Sequence, residues 1–119
     1  MKDIYETIDA VMARVKEQRH RNDRDGLLLS GESCLELVYL LTDISVDAES
    51  RYRKFEADLS DKTDENGKRF SSAYCETKSK ATDDYKEWQK AKQVIEVLYN
   101  LANMAKVLAR GVDNSYNAS

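Results

Sequence analysis

The sequence predicts an all-α fold, a long antiparallel helical hairpin of coiled-coil type with a shorter N-terminal helix packed at its base, and three observations predict it. None of the 119 residues is proline, although average usage of about 5% would place roughly six in a chain this long. Proline is what breaks helix interiors, so its absence permits long uninterrupted helices. Glycine is confined to Gly26, Gly31, Gly67 and Gly111, each where a helix is expected to start or stop. Apolar residues recur at spacings of three and four over most of the chain, the period of a helix face. Residues 1–119 are accordingly expected to form a single helical domain.

Helix 1 is expected over residues 2–22, on the stripe Ile4, Ile8, Val11, Met12 and Val15. Its last turn carries Arg19, His20 and Arg21, cations that complement the helix dipole, before Asp25-Gly26 as a stop. Leu27-Leu28-Leu29 reads as a short apolar connector. Ser30 is then the expected N-cap of helix 2, with Glu32 supplying negative charge to the helix start, and helix 2 is expected over residues 31–60. Its seam is Cys34, Val38, Leu41, Ser45, Ala48, Tyr52, Phe55 and Leu59, and Leu35, Leu37, Leu40, Ile44 and Val46 widen the buried face of its first half.

The polar run Asp61 to Lys68 is the hairpin bend, with Asn66-Gly67 suited to a left-handed turn. Helix 3 is expected over residues 69–110, on the heptad Phe70, Tyr74, Thr77, Ala81, Asp84, Trp88, Ala91, Ile95, Leu98, Ala102, Ala105 and Ala109. Gly111 is its stop, and the polar residues from Asp113 onward are expected to fray. A bend centred on Glu65 gives facing residues whose numbers add to about 129 in a heptad register, pairing Leu59 with Phe70, Ala48 with Ala81, Leu41 with Trp88, Val38 with Ala91 and Cys34 with Ile95. At 1.5 Å per residue helix 3 is about 60 Å long, so the hairpin is expected to project as a charged arm over residues 51–81.

Tyr99 and the residues after it overhang the start of helix 2 in that register, yet Leu101, Met104, Val107 and Leu108 are apolar. Either helix 1 with Leu27 to Leu29 covers them, or a second copy of the chain does. Large apolar patches mark interfaces, so Leu101, Met104 and Leu108 are the candidate homo-oligomer contact.

Chemistry-bearing residues are few. The single histidine, His20, lies in a basic helix end with no nucleophile partner, so no catalytic residue and no enzyme activity is expected. One histidine and two separated cysteines, Cys34 and Cys75, make no metal-ligand cluster, and no cofactor fingerprint is present. In the proposed register the two cysteines lie about 30 Å apart, beyond disulfide reach, with Cys34 in the core and Cys75 partly exposed. Among the aromatic residues, Tyr52, Tyr74 and Trp88 fall on the seam as core, while Tyr39, Tyr85, Tyr99 and Tyr116 are free for an interface.

Arg14, Arg19, Arg21 and Arg24 form the candidate interaction surface, for a phosphate backbone or an acidic protein face. The net charge of −3 is evenly mixed and selects no partner. No apolar run is long enough to cross a membrane, and Met1 to Glu6 is no secretory signal, so a cytoplasmic location is expected.

The stretch Ala73-Tyr74-Cys75-Glu76-Thr77-Lys78-Ser79-Lys80-Ala81-Thr82-Asp83-Asp84-Tyr85-Lys86-Glu87-Trp88-Gln89-Lys90-Ala91 resembles small helical proteins of phage replication and recombination modules. In those proteins a long helix carries an A-x-x-E-x-K-A … S-x-E-Y-K-x-x-x-x-A theme. The resemblance implies a phage or mobile-element origin, hence a bacterial host cytoplasm, and carries over no functional residue. The leading expectation is a non-enzymatic protein that docks on another protein, as an adaptor or an inhibitor of a host system such as a defence. An accessory nucleic-acid-binding protein of phage recombination and a structural helical oligomer are the alternatives.

Overall fold

A computed structural model describes the backbone of residues 2–118 and the side chains of residues 4–114; the expectation for Tyr116 lies outside the described side chains. Four helices follow in order, α1 (Lys2–His20), α2 (Arg24–Ser60), α3 (Ser72–Lys80) and α4 (Asp83–Ala118). The chain is all-α, α2 and α4 pack against each other as the two limbs of the hairpin, and α1 packs at its base. Contacts divide it into two compact units, one from residues 1–40 with 94–119 and the other from residues 41–93.

In the first unit, three helical segments bury Ile8, Val11 and Val15 of α1, Leu27, Cys34, Leu37 and Val38 of α2, and Leu98, Leu101, Ala102, Ala105, Ala109 and Val112 of α4. The joint between α1 and α2 is shorter than the sequence suggests. Asn22 takes a left-handed φ of 54°, the Asn22 N–H donates to the carbonyl of Arg19, and the Asp23 N–H reaches back to that of Gln18 at 2.9 Å. This pair of bonds is the Schellman closure of α1. Asp23 then caps α2, its carboxylate accepting the N–H of Gly26 at 3.0 Å.

Helix α2 therefore begins at Arg24 rather than at residue 31. Gly26 is not a stop but the third residue of the new helix, where a Cβ would collide with the Asp23 carboxylate and lie 2.8 Å from Gln18 Nε2. Ser30 is not a cap either. It sits 2% exposed inside the helix and donates to Gln18 Oε1 at 2.7 Å, tying α2 to α1. Leu27 to Leu29 belong to the helix; of the α4 residues expected to overhang, Leu101 is buried, while Met104 and Val107 stay exposed.

In the second unit, α2 from Leu41 onward packs with α3 and the first turns of α4. The bend is closed by an isolated antiparallel bridge between Thr63 and Arg69 and by the Asp64 carboxylate, which accepts the N–H groups of Asn66 and Lys68 at 2.9 and 3.0 Å. Gly67 has φ +78°, as the expected Asn-Gly turn requires. The third expected helix is divided. Ser71 caps α3 by accepting the Tyr74 N–H, and Thr82 caps α4 by accepting the Tyr85 N–H. Between them Thr82 Oγ1 donates to the Ser79 carbonyl at 2.7 Å, the competition of a hydroxyl with the helix ladder.

That break corrects the register. At the bend, facing residues such as Thr63 and Arg69 add to 132, whereas Arg51 with Asp84 adds to 135 and Tyr52 with Tyr85 to 137. The α3–α4 limb, interrupted at Ala81-Thr82, uses more residues than continuous α2 over the same stretch. Pairing is thus displaced by about one heptad from the expected sum, and Trp88 meets Tyr52 rather than Leu41. The face of α3 is also rotated. Cys75 and Ser79 are buried, correcting Cys75 from partly exposed to core, while Tyr74, expected in the core, is exposed and stacks on Phe70 at 4.8 Å.

Helix α4 runs through Gly111 to Ala118, so Gly111 is not its stop. A Cβ at Gly111 would meet nothing within 4 Å. Gly111→Ala is therefore expected to stabilise the protein by about 0.5–1 kcal/mol through helix propensity. Gly67→Ala, forced into a left-handed backbone, is expected to cost about 1–2 kcal/mol. Thermal melting followed by circular dichroism checks the opposite signs.

Candidate docking surfaces

Around α2 of the first unit, the residues that meet α1 and the residues left bare lie on different sides. Ser30, hydrogen-bonded to α1, and the pair Leu28 and Leu35 are separated by roughly 140–160° at 3.6 residues per turn. α1 thus covers one side of the α2–α4 pair and leaves the other open. The open side is a groove of about 240 Å³ lined by Leu28, Gly31, Glu32 and Leu35 of α2 and by Tyr99, Ala102 and Lys106 of α4. At its floor Gly31 of α2 faces Ala102 and Ala105 of α4, with room for ordinary van der Waals contact. A Cβ there would lie 3.6 Å from the Ala102 carbonyl and 3.8 Å from Ala105 Cβ.

The groove is apolar yet uncovered. Leu35 is 43% exposed, Tyr99 49% and Tyr39, one turn beyond Leu35, 78%. Its volume lies below the roughly 300–1,000 Å³ of small-molecule sites. Leu35, Leu40 and Val46, expected to widen the buried face of helix 2, are all exposed; only Leu37 of that set is among the buried core. A helix with two neighbours buries an arc around its seam, and these residues fall outside that arc. Leu35 and Leu40, five residues apart, lie roughly 140° apart around α2 and so on opposite flanks of that arc.

The basic candidate residues lie in the first unit as well, with different fates. Arg14 and Arg19 are exposed on α1. Arg21 pairs with Glu17 at 2.7 Å. Arg24 pairs with Asp113 at 2.6 Å and with Asp25 at 2.9 Å, and its hydrogen bond to Asp113 raises its pKa above the ordinary arginine value. Half of the basic set is therefore already met by carboxylates within the protein. Of the candidate oligomer residues, Leu101 is buried in the core at 7% exposure, which removes it from any contact surface, while Met104 is exposed and Leu108 intermediate.

In the second unit three of the aromatic residues, Tyr52, Tyr85 and Trp88, form a cluster. Tyr52 meets Tyr85 edge-on at 5.2 Å and Trp88 at 5.1 Å. Arg53 lies 5.2 Å over the Tyr52 ring, and Lys92 lies 4.2 Å over Trp88. Beside it Arg51 joins Asp84 at 2.9 Å and Glu87 at 3.5 Å, linking α2 to α4. The protein's own cations thus lie over the Tyr52 and Trp88 rings.

Both cysteines are free and buried, and burial raises the Cys34 thiol above its ordinary pKa. His20 is exposed in the last turn of α1. Among the described residues no group of three or more histidines, cysteines and carboxylates gathers to hold a metal, and no helix is long and apolar enough to cross a membrane. Compared with protein-family models, with curated protein sequences and with solved structures, the chain matches none.

Proposed function

We propose that this protein is a non-enzymatic helical docking module that acts by accepting another polypeptide in the open α2–α4 groove of its first unit. The observation that carries the reading is an uncovered apolar groove, with Leu35, Tyr39 and Tyr99 left exposed beside charged Glu32 and Lys106. Contiguous apolar surface rimmed by polar groups is the mark of a protein interface, and tyrosine is enriched there. The resemblance of residues 73–91 to phage-module proteins adds a setting to the proposal, an adaptor or inhibitor that engages a host protein. Phosphate binding is less favoured, since Arg21 and Arg24 already hold carboxylates.

The test is affinity capture from the native host with the wild type, Leu35→Glu, Tyr99→Glu and Arg14→Glu, each checked for unchanged helicity. Capture of a specific polypeptide is expected to be lost with both groove variants and kept with Arg14→Glu. A partner retained by the groove variants and lost with Arg14→Glu would move the site to the basic end of α1.

A further inference from the structure

Resting on the docking reading, we infer that the polypeptide received by the groove is a second copy of this chain, and that two copies pair through it about a two-fold axis parallel to α2 and α4. The inference comes from the charge carried by the two walls. Residues 26–40 of α2 contain Glu32 and Glu36 and no lysine or arginine, while Asp25 just before them is already held by Arg24. Residues 97–112 of α4 contain Lys106 and Arg110 and no aspartate or glutamate. One wall is purely acidic and the other purely basic, and both carry exposed apolar residues, Leu35 and Tyr39 on the first and Tyr99 on the second. A surface of this kind is complementary to itself, which is what an isologous interface requires.

The charges also choose the axis. A two-fold axis perpendicular to the helices and in the plane of the interface would lay α2 on the partner's α2, acid against acid with no base in the stretch to relieve it. An axis parallel to the helices keeps every residue at its own height and sets α2 over the partner's α4, running antiparallel. All neighbouring helices are then antiparallel, the arrangement of an up-and-down four-helix bundle. The height relation is the one already found inside the unit, where Gly31 faces Ala102 and Ala105, and Arg24 faces Asp113. Carried across the interface, it sets Glu32 beside the partner's Lys106, and the partner's Tyr99 between Leu35 and Tyr39. Each contact occurs twice.

The experiment is mass measurement by light scattering on the eluting full chain, with two charge-reversal variants and one apolar one. Wild type is expected at twice the 13.7 kDa chain mass. Tyr99→Glu is expected at the single-chain mass with helicity unchanged. Glu32→Lys and Lys106→Glu are each expected to weaken self-association on the order of tenfold, because two attractive contacts become repulsive. Mixing those two variants is the decisive step. In the mixed pair the two reversed charges face each other, and the unreplaced Glu32 and Lys106 face each other as in the wild type. Dimer therefore returns in the mixture although each variant alone is weak.

Wild type at the single-chain mass at high concentration would overturn the inference, as would a dimer untouched by Tyr99→Glu, or a mixture no more associated than its components. A monomer that still captures a different polypeptide through Leu35 and Tyr99 would overturn self-pairing while leaving the docking reading in place. Loss of both self-association and groove-dependent capture would remove both.

Discussion

Replacing Leu98 with alanine is expected to destabilise the protein by about 2–5 kcal/mol, the range for deleting a buried leucine side chain and leaving a cavity. The position is decisive because of what surrounds it on the sequence. Leu98 is fully buried, and most of the α4 seam below it is alanine, at Ala102, Ala105 and Ala109. Small residues bury little apolar area each, so the few large side chains carry most of the hydrophobic term.

Against a total stability of roughly 5–15 kcal/mol for an ordinary domain, the loss is large enough to leave Leu98→Ala marginal at ambient temperature. Val107→Ala, at a position 62% exposed, is expected to change stability by no more than about 0.5 kcal/mol. Urea titration of both variants checks the contrast. Equal losses would mean that the α4 face is assigned wrongly.

The face assignment of α4 was legible from the sequence, and the reason is physical. Leu98, Ala102, Ala105 and Ala109 alternate steps of three and four without interruption, and a period sustained that long admits one helical face. The seam of α2 from Cys34 to Tyr52 was legible on the same ground. Ends and registers were not. Ser30 has the chemistry of a cap, and the sequence offers no way to see that its hydroxyl meets Gln18 across the joint. Asn22 and Asp23 closed one helix and opened the next, and that outcome depends on the left-handed φ of Asn22.

The break at Ala81-Thr82 was hidden because the heptad tolerated Asp84 as a single lapse. Thr82 and Ser79 carried the signal, as hydroxyl residues that compete for backbone groups. The register was displaced by about one heptad for a related reason. A seam that repeats every seven residues pairs equally well after a shift of seven, so its register is defined only modulo the repeat. The groove is not legible in the sequence because Leu35 reads as core and Leu28 as part of a connector, while Tyr39 alone of the three reads as free for an interface. Their spacing of seven and four is that of a second stripe, offset around α2 from the first. Deciding which stripe faces a neighbour needed the position of α1.

Replacing Tyr52 with alanine carries the other large effect, a loss of about 3–5 kcal/mol by analogy with buried aromatic truncations. Tyr52 is 5% exposed and holds the centre of the second unit, meeting Tyr85 edge-on and Trp88 in a tilted stack. Each such pair adds about 0.5–1.5 kcal/mol beyond the buried area. The ring also supports Arg53, whose guanidinium lies 5.2 Å above it. Tyr52→Phe keeps the ring and its contacts, so it is expected to cost less than about 1 kcal/mol. Trp88 is the only tryptophan in the chain, so its fluorescence reports on this cluster directly. Tyr52→Ala is expected to alter Trp88 emission in the folded state and to lower the urea midpoint read by fluorescence. Tyr52→Phe is expected to leave the midpoint nearly unchanged. If the phenylalanine variant lost as much as the alanine one, the hydroxyl rather than the ring would hold this unit together, and the aromatic cluster would be a consequence of packing instead of its cause.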